Sequence, residues 1–313
     1  MTKERILVTG GAGFIGSHLV DALVEQDYIV TVLDNLLTGN KENLESLISQ
    51  GRISFVEGDI RNSKVLNEAC KVDYIFHEAA LPSVQRSIEN PQTTLEINIT
   101  GTLNMLNAAR DNKVKKVIFA SSSSIYGNRP GESKIETMKV QPLSPYAISK
   151  LACEEACKFY SHTYRLPTIC LRYFNVFGPR QNPNSEYSAV IPKFINIMLK
   201  DNKPVIYGDG KQSRDFTFVN NVVNANLLAL QSDLSEGETI NIACGKSYSL
   251  MQMVEIINKT LDKNLAPFFL EPRAGEVKDS LANIDKAKKL LGYEPQVDFE
   301  EGLKKTIEWY KEH

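Results

Sequence analysis

Tyr146 and Lys150 stand four residues apart in Ser144-Pro145-Tyr146-Ala147-Ile148-Ser149-Lys150, a spacing that puts both on one face of a helix. An ammonium beside a phenol stabilises the phenolate. Such a pair can draw a proton from an alcohol near neutral pH, where an isolated tyrosine stays protonated. Ser144 has the oxygen to cap this helix, and Pro145 suits its first position. Upstream, the apolar run 117–121 leads into Ser122-Ser123-Ser124. That places hydroxyls at the carboxyl end of a strand, where parallel sheets hold their ligands. Taken singly, a tyrosine–lysine pair is more often a surface pair, and a serine run more often a loop.

A second constellation opens the chain. The apolar run 5–9 is followed by Gly10-Gly11-Ala12-Gly13-Phe14-Ile15-Gly16. Glycines at Gly10, Gly13 and Gly16 suit a tight strand-to-helix turn, a backbone close to a pyrophosphate, and a helix packed against the strand. The amides at that helix start would meet phosphate oxygens. Asp34 ends the next apolar run, and a carboxylate there can accept both adenosine ribose hydroxyls. It would repel a 2′-phosphate, and Asn35-Leu36-Leu37 offer no arginine to hold one. The expected cofactor is therefore NAD, not NADP.

The elements that must position these groups alternate. Strands are expected at 5–9, 29–33, 53–56, 74–77, 117–121 and 168–172. Helices are expected at 14–26, 40–49, 63–69, 91–112 and 145–164. Strand–helix alternation predicts βαβ units and a parallel sheet. The rhythm loosens after Arg172, a strand at 239–243 should rejoin the sheet, and the tail 249–313 should add two helices. The expectation is a nucleotide-binding domain over 1–172 and a lobe, mainly for substrate, over 173–313. The 313 residues are 42% hydrophobic and 24% charged, with a formal net charge of -2. That composition allows a large core and lacks the basic excess of a nucleic-acid binder. No apolar run approaches a membrane span. The five cysteines have no metal-type spacing, and Cys153 and Cys157 fit a helix core. A reducing, cytoplasmic setting is expected.

Together, the glycine turn, Ser122 ahead of Tyr146 and Lys150, and Asn98 in the preceding helix resemble the short-chain dehydrogenase/reductase superfamily. Ser-Ser-Ile-Tyr-Gly at 123–127 and the chain length are similar to its extended branch. The resemblance covers nearly the whole chain. It implies an α/β, Rossmann-type doubly wound parallel sheet with a smaller C-terminal substrate-binding lobe. It implies that Tyr146, Lys150 and Ser122 are catalytic. It also implies that Gly10, Gly13, Phe14, Ile15, Gly16, Asp34, Asn35, Asp59, Ile60, Ala79, Ala80, Asn98 and Lys150 surround NAD.

Arg172-Tyr173-Phe174-Asn175-Val176-Phe177-Gly178-Pro179 resembles the nucleotide-sugar epimerases and dehydratases, with Asn175 at the sugar diphosphate. By the same resemblance Val190, Lys193, Phe194 and Tyr207 wall the base, Arg214 and Arg273 hold the pyrophosphate, and Glu276 binds the uridine ribose. Guanidinium forks suit phosphate oxygens. The 4,6-dehydratases of this group carry Asp-Glu where this chain has Ser123 and Ser124. Serines cannot do that acid–base work, so these two positions are expected to face substrate without dehydrating it. The chain most resembles the 4-epimerases of UDP-glucose and UDP-N-acetylglucosamine. Ser83 is similar to the N-acetylhexosamine members, and Ser280 leaves room where a bulky residue would exclude the acetamido group. The implied cycle is redox-neutral, through a 4-keto sugar, with tightly held NAD and a homodimer. Alternatives are a UDP-glucuronate 4-epimerase or decarboxylase, with Arg86 at the carboxylate, and a non-catalytic dinucleotide-binding regulator.

Overall fold

The computed structural model describes residues 3–128, 133–183, 189–272 and 279–313. Its centre is a sheet of seven strands: β1 (Arg5–Thr9), β2 (Ile29–Asp34), β3 (Ile53–Glu57), β4 (Tyr74–His77), β5 (Lys116–Ser122), β6 (Thr168–Tyr173) and β7 (Glu238–Ile242). The order is β7-β6-β5-β4-β1-β2-β3, and every pairing is parallel. This is the doubly wound arrangement, with the order reversing between β1 and β4, where such sheets bind dinucleotides.

Both faces are covered, so the strands read as nearly continuous apolar runs. Ile6, Val8, Ile118, Ala120, Ile169 and Leu171 pack on one face. Leu7, Val117, Phe119 and Cys170 pack on the other, with Cys153 and Cys157. These cysteines behave as small buried apolar side chains, and all five thiols of the chain are free. A separate aromatic core joins Phe177, Phe216, Phe218 and Phe299 to Ile191, Phe194 and Met253. Phe14 and Ile15, from the helix after the glycine turn, pack against its edge.

Three expectations change. The helix expected over 91–112 contains a π turn, Glu96–Thr100, between Pro91–Leu95 and Gly101–Asp111. π turns insert a residue without ending the helix, and this one carries the buried Asn98. The helix expected over 40–49 is a 3-10 turn, Lys41–Leu44, followed by Glu45–Ser49. The tail holds three helices among the described residues, not two: Leu250–Leu261, Asp285–Leu291 and Phe299–Glu312. The middle one is short, and its burial rests on Ala287 and Leu291, too few turns for a clear period.

Candidate functional site

A cleft of about 950 Å³ runs along the carboxyl ends of the strands. Its floor is the glycine turn. Gly10 has φ +72°, and a Cβ there would stand 2.6 Å from the Ala79 amide nitrogen. A side chain at Gly16 would collide with the Gly10 carbonyl, so the helix could not seat on the strand. Gly13 has only that carbonyl within reach, at 3.1 Å, and otherwise opens on the cleft. The helix Phe14–Glu25 has no side-chain cap, which leaves its first amides for an anion.

Asp34 closes the next turn. Its carboxyl is buried and accepts from the Ala12 amide at 3.0 Å and the Leu36 amide at 2.8 Å. Burial pushes it above the usual carboxylate range, against those two donors. Each oxygen keeps acceptor capacity toward the cleft. The glycine cradle and this carboxyl fit an NAD pyrophosphate and its adenosine ribose. Ile60 lines the wall, as do Asn35, Ala79 and Ala80. Asp59 itself is engaged by its neighbours. Arg61 donates from Nε at 3.0 Å and Nη2 at 2.8 Å, and Asn35 donates at 2.9 Å. The Arg61 guanidinium is the main reason its carboxyl falls to about 2.

At the other end Tyr146 and Lys150 line the same cleft. Ser144 caps their helix, Pro145–Tyr164, by accepting from the Ala147 amide at 3.2 Å. Lys150 is buried; its ammonium donates to the Ala120 carbonyl at 2.7 Å and lies 5.9 Å from the Tyr146 ring centre. Ser122 is the last residue of β5 and accepts from the Ser124 amide at 3.2 Å, capping the one-turn helix Ser123–Tyr126. The Ser124 hydroxyl is buried with no partner among the described residues. Asn98 braces the wall from behind. Its oxygen accepts from the Leu81 amide at 2.7 Å, and its amide donates to Ser149 Oγ at 3.0 Å. Ser83 lines the cleft beside Arg86 with φ +91°, a value that strains any side chain.

The residues expected around the sugar nucleotide gather elsewhere. Ser280 pairs in register with Arg214 although the two are far apart in sequence. Arg214 donates to the Ser213 carbonyl at 2.8 Å. Asn175 has φ +36° and donates to the Asp215 carbonyl at 3.0 Å. Fully buried Asp215 is the hub. Its carboxyl accepts from the Cys244, Gly245 and Ala282 amides at 2.9, 3.0 and 3.2 Å, and its own amide donates to Ser280 at 2.7 Å. Burial pushes that carboxyl up to about 7, outweighing the three donors. Val190 and exposed Lys193 lie on the first turn of Val190–Leu199, whereas Phe194 is buried in the aromatic core. Tyr207 ends the strand Val205–Tyr207. Arg273 and Glu276 lie outside the described residues.

Sequence reasoning passed over several cleft residues: Thr38, Asn40, Arg180, Gln181 and Trp309. Gly178-Pro179-Arg180-Gln181 signalled only a turn, and nothing local marks a tryptophan of the last helix as a cleft residue. It also missed a buried pair behind the serine run. Glu154 accepts from Arg172 Nε at 2.9 Å and Nη2 at 2.7 Å, and it accepts from Ser121 as well. Among the described residues no cluster of histidine, cysteine or carboxylate side chains could hold a metal, and no helix is long and apolar enough to cross a membrane.

Residues 6–243 match the NAD dependent epimerase/dehydratase family. The chain is similar to a UDP-glucose 4-epimerase of Mycolicibacterium smegmatis, 37% identical over 98% of each chain. Among solved structures it resembles a UDP-N-acetylglucosamine 4-epimerase from Methanobrevibacter ruminantium in complex with UDP-N-acetylmuramic acid. That match has 42% identity, a TM-score of 0.95, and coverage of 100% of this chain and 99% of the other. It also resembles a UDP-glucuronic acid 4-epimerase from Bacillus cereus in complex with UDP-glucuronic acid and NAD. There the identity is 35% and the TM-score 0.90, over 98% of this chain and 99% of the other.

Proposed function

The chain belongs to the NAD-dependent epimerase/dehydratase family, and we propose that within it the protein interconverts UDP-sugars that differ in configuration at C4. The reading is carried by one observation: Tyr146 and Lys150 face the same cleft as the glycine turn and Asp34. When bound, NAD would supply the two-electron chemistry, as hydride acceptor and donor at C4 of the sugar.

The residues do the rest. Tyr146, as phenolate, accepts the proton of the 4-hydroxyl and later gives it back. Lys150, fixed to the Ala120 carbonyl, holds positive charge beside it, and Ser122 relays the hydrogen bond. Asn175, Arg214 and Arg273 grip the diphosphate, and Val190, Lys193, Tyr207 and Glu276 serve the uridine, with the wall stiffened from behind by the buried Phe194. The nucleotide anchors the substrate while the 4-keto sugar turns about its diphosphate link. The lobe 173–313, apart from β7, supplies most of these contacts. Ser83 and Ser280 leave space for an acetamido group, so UDP-N-acetylglucosamine is the preferred sugar and UDP-glucose the second. NAD stays bound and is not consumed, and the protein works in the reducing cytoplasm. Leu103, Ile148 and Phe159 are exposed apolar residues on the two helices that would pair in a homodimer.

A second reading takes a uronate. Arg86 lines the cleft beside Ser83, where a guanidinium would hold a sugar carboxylate. The purified protein is incubated with UDP-N-acetylglucosamine, UDP-glucose and UDP-glucuronate, with no cofactor added, and the products are resolved by chromatography. The 4-epimer of the acetamido sugar should form fastest. Turnover of UDP-glucuronate alone moves the assignment to the second reading, and net oxidation that demands added NAD refutes an epimerase.

A further inference from the structure

Glu78 is the cleft residue whose chemistry the cycle above leaves unused. It follows β4 directly, with its amide bonded to the Thr9 carbonyl at 3.0 Å. It lines the cleft together with Ala120, Tyr146 and Lys150. Tyr173, at the end of β6, donates its hydroxyl to Glu78 Oε1 at 2.8 Å. Asn226 in turn donates its amide to that hydroxyl at 2.8 Å and to the Val222 carbonyl at 2.9 Å. Tyr173 and Asn226 are both buried. The chain Asn226–Tyr173–Glu78 thus crosses the end of β5, the strand between β4 and β6, and holds one carboxyl at the cleft wall.

The strand order decides what that carboxyl faces. The glycine turn lies on β1, and Asp34 lies on β2 to one side of it. A dinucleotide with its pyrophosphate at the turn and its adenosine ribose at Asp34 lays its other half across the ends of β4, β5 and β6. Oxidised nicotinamide carries a positive charge that the reduced ring lacks. A carboxylate in a sheltered cleft attracts the first and not the second.

We propose that Glu78 sets the charge balance at the nicotinamide end of the cleft. As a carboxylate it favours the oxidised, cationic cofactor over the reduced, neutral one, and Tyr173 and Asn226 are positioning residues that hold it there. The inference rests on NAD as cofactor and is independent of which sugar is turned over.

The groups facing Glu78 fix the sign of its pH dependence. Burial pushes its carboxyl up to about 7, against the Tyr173 hydrogen bond and the Lys150 charge. Lys150 and Tyr146 face it from the helix Pro145–Tyr164, and Tyr173 from β6. The helix Val219–Gln231 contributes only the neutral Asn226, and the charged residue of β1, Arg5, sits at the far end of that strand from Thr9 and Glu78. His77, next to it on β4, is held by Thr9 and Thr102 on the other side, and burial lowers it to about 3, so it stays neutral throughout. A cationic ring pulls the Glu78 carboxyl down and a neutral ring leaves it high. By linkage, raising the pH through neutrality favours the oxidised form.

In the test, the holoenzyme is equilibrated with an equimolar excess of isotope-labelled NAD+ and NADH from about pH 6 to about pH 8, spanning neutrality, until its resident nucleotide has exchanged with the labelled pool. It is then desalted rapidly, and the protein-bound ratio is read from the released nucleotides. The ratio of oxidised to reduced cofactor should rise about fivefold across that range, the part of a one-unit carboxyl shift near neutrality that titrates between those limits. Glu78→Gln should hold the ratio flat at its acid-side value. Tyr173→Phe, which keeps the carboxyl and loses its anchor, should show a smaller rise and keeps the test alive if Glu78→Gln does not fold. A flat ratio in the native protein overturns the proposal, as does an unchanged rise in Glu78→Gln. Recovery of neither nucleotide, labelled or resident, from any form of the protein refutes the cofactor assignment instead.

Discussion

The two ends of the proposed site, one for the cofactor and one for the sugar nucleotide, are built in opposite ways. The cofactor end is made of strand ends and one glycine turn: Gly10, Gly13, Gly16 and Asp34 come from consecutive elements, and the parallel ladder sets their spacing. The sugar-nucleotide end is made of two-residue strands drawn from remote segments, with Arg214 between Tyr248 on one side and Ser280 on the other. Its coherence depends on Asp215, whose carboxyl ties three backbone amides together. One end is held by many equivalent ladder bonds and should tolerate loss of a single polar contact. The other hangs on one buried side chain and should not.

The largest effect should come where the two ends meet. Tyr146→Phe should cut turnover about 10²- to 10⁴-fold, the range for removal of a positioned acid–base group. Bound NAD and the Kd for the UDP-sugar should stay near native values. A large loss of either affinity would mean that Tyr146 joins the two ends and is not the proton acceptor.

Asp215→Asn should act on one end only. The variant has one acceptor oxygen in place of two, so buried amides are left unpaired, at about 1–3 kcal/mol each. The Kd for UDP, measured by calorimetry, should rise about tenfold or more, while the NAD content is unchanged. Equal loss of NAD would erase the proposed difference between the ends.

The smallest effect belongs to the rim of the cofactor end. Asp59 is depressed to about 2 chiefly by Arg61, but both side chains are partly exposed, so solvent screening leaves the pair worth under about 1 kcal/mol. A depressed carboxyl contributes stability above its unfolded value, near 4, and loses it as the pH falls toward 2. Thermal melts of Asp59→Asn should therefore lie slightly below native at neutral pH and converge with it in acid. A gap that persists in acid would point to packing and not charge.

The features legible in the chain were local ones. Apolar runs alternating with helical stretches predicted all seven strands of the central sheet to within one residue at each end. Ser144 and Pro145 marked a helix start that the structure confirms. The π turn at Asn98 was not legible, because its apolar residues continue the surrounding helical pattern and only the bond to Leu81 reveals why the register shifts.

The sequence by itself determined the glycine turn, the acidic residue ending β2, and the tyrosine and lysine one helical turn apart. Each depends on backbone geometry over a few residues, which residue type and spacing set directly. Only the tertiary structure decided that Ser280 lies beside Arg214, that Glu154 grips Arg172 behind the serine run, and that Tyr173 and Asn226 aim Glu78 into the cleft. Those contacts join residues far apart in the chain. Whether a carboxyl or hydroxyl is solvated or buried beside one partner follows from the packing of whole elements, and no local pattern encodes it.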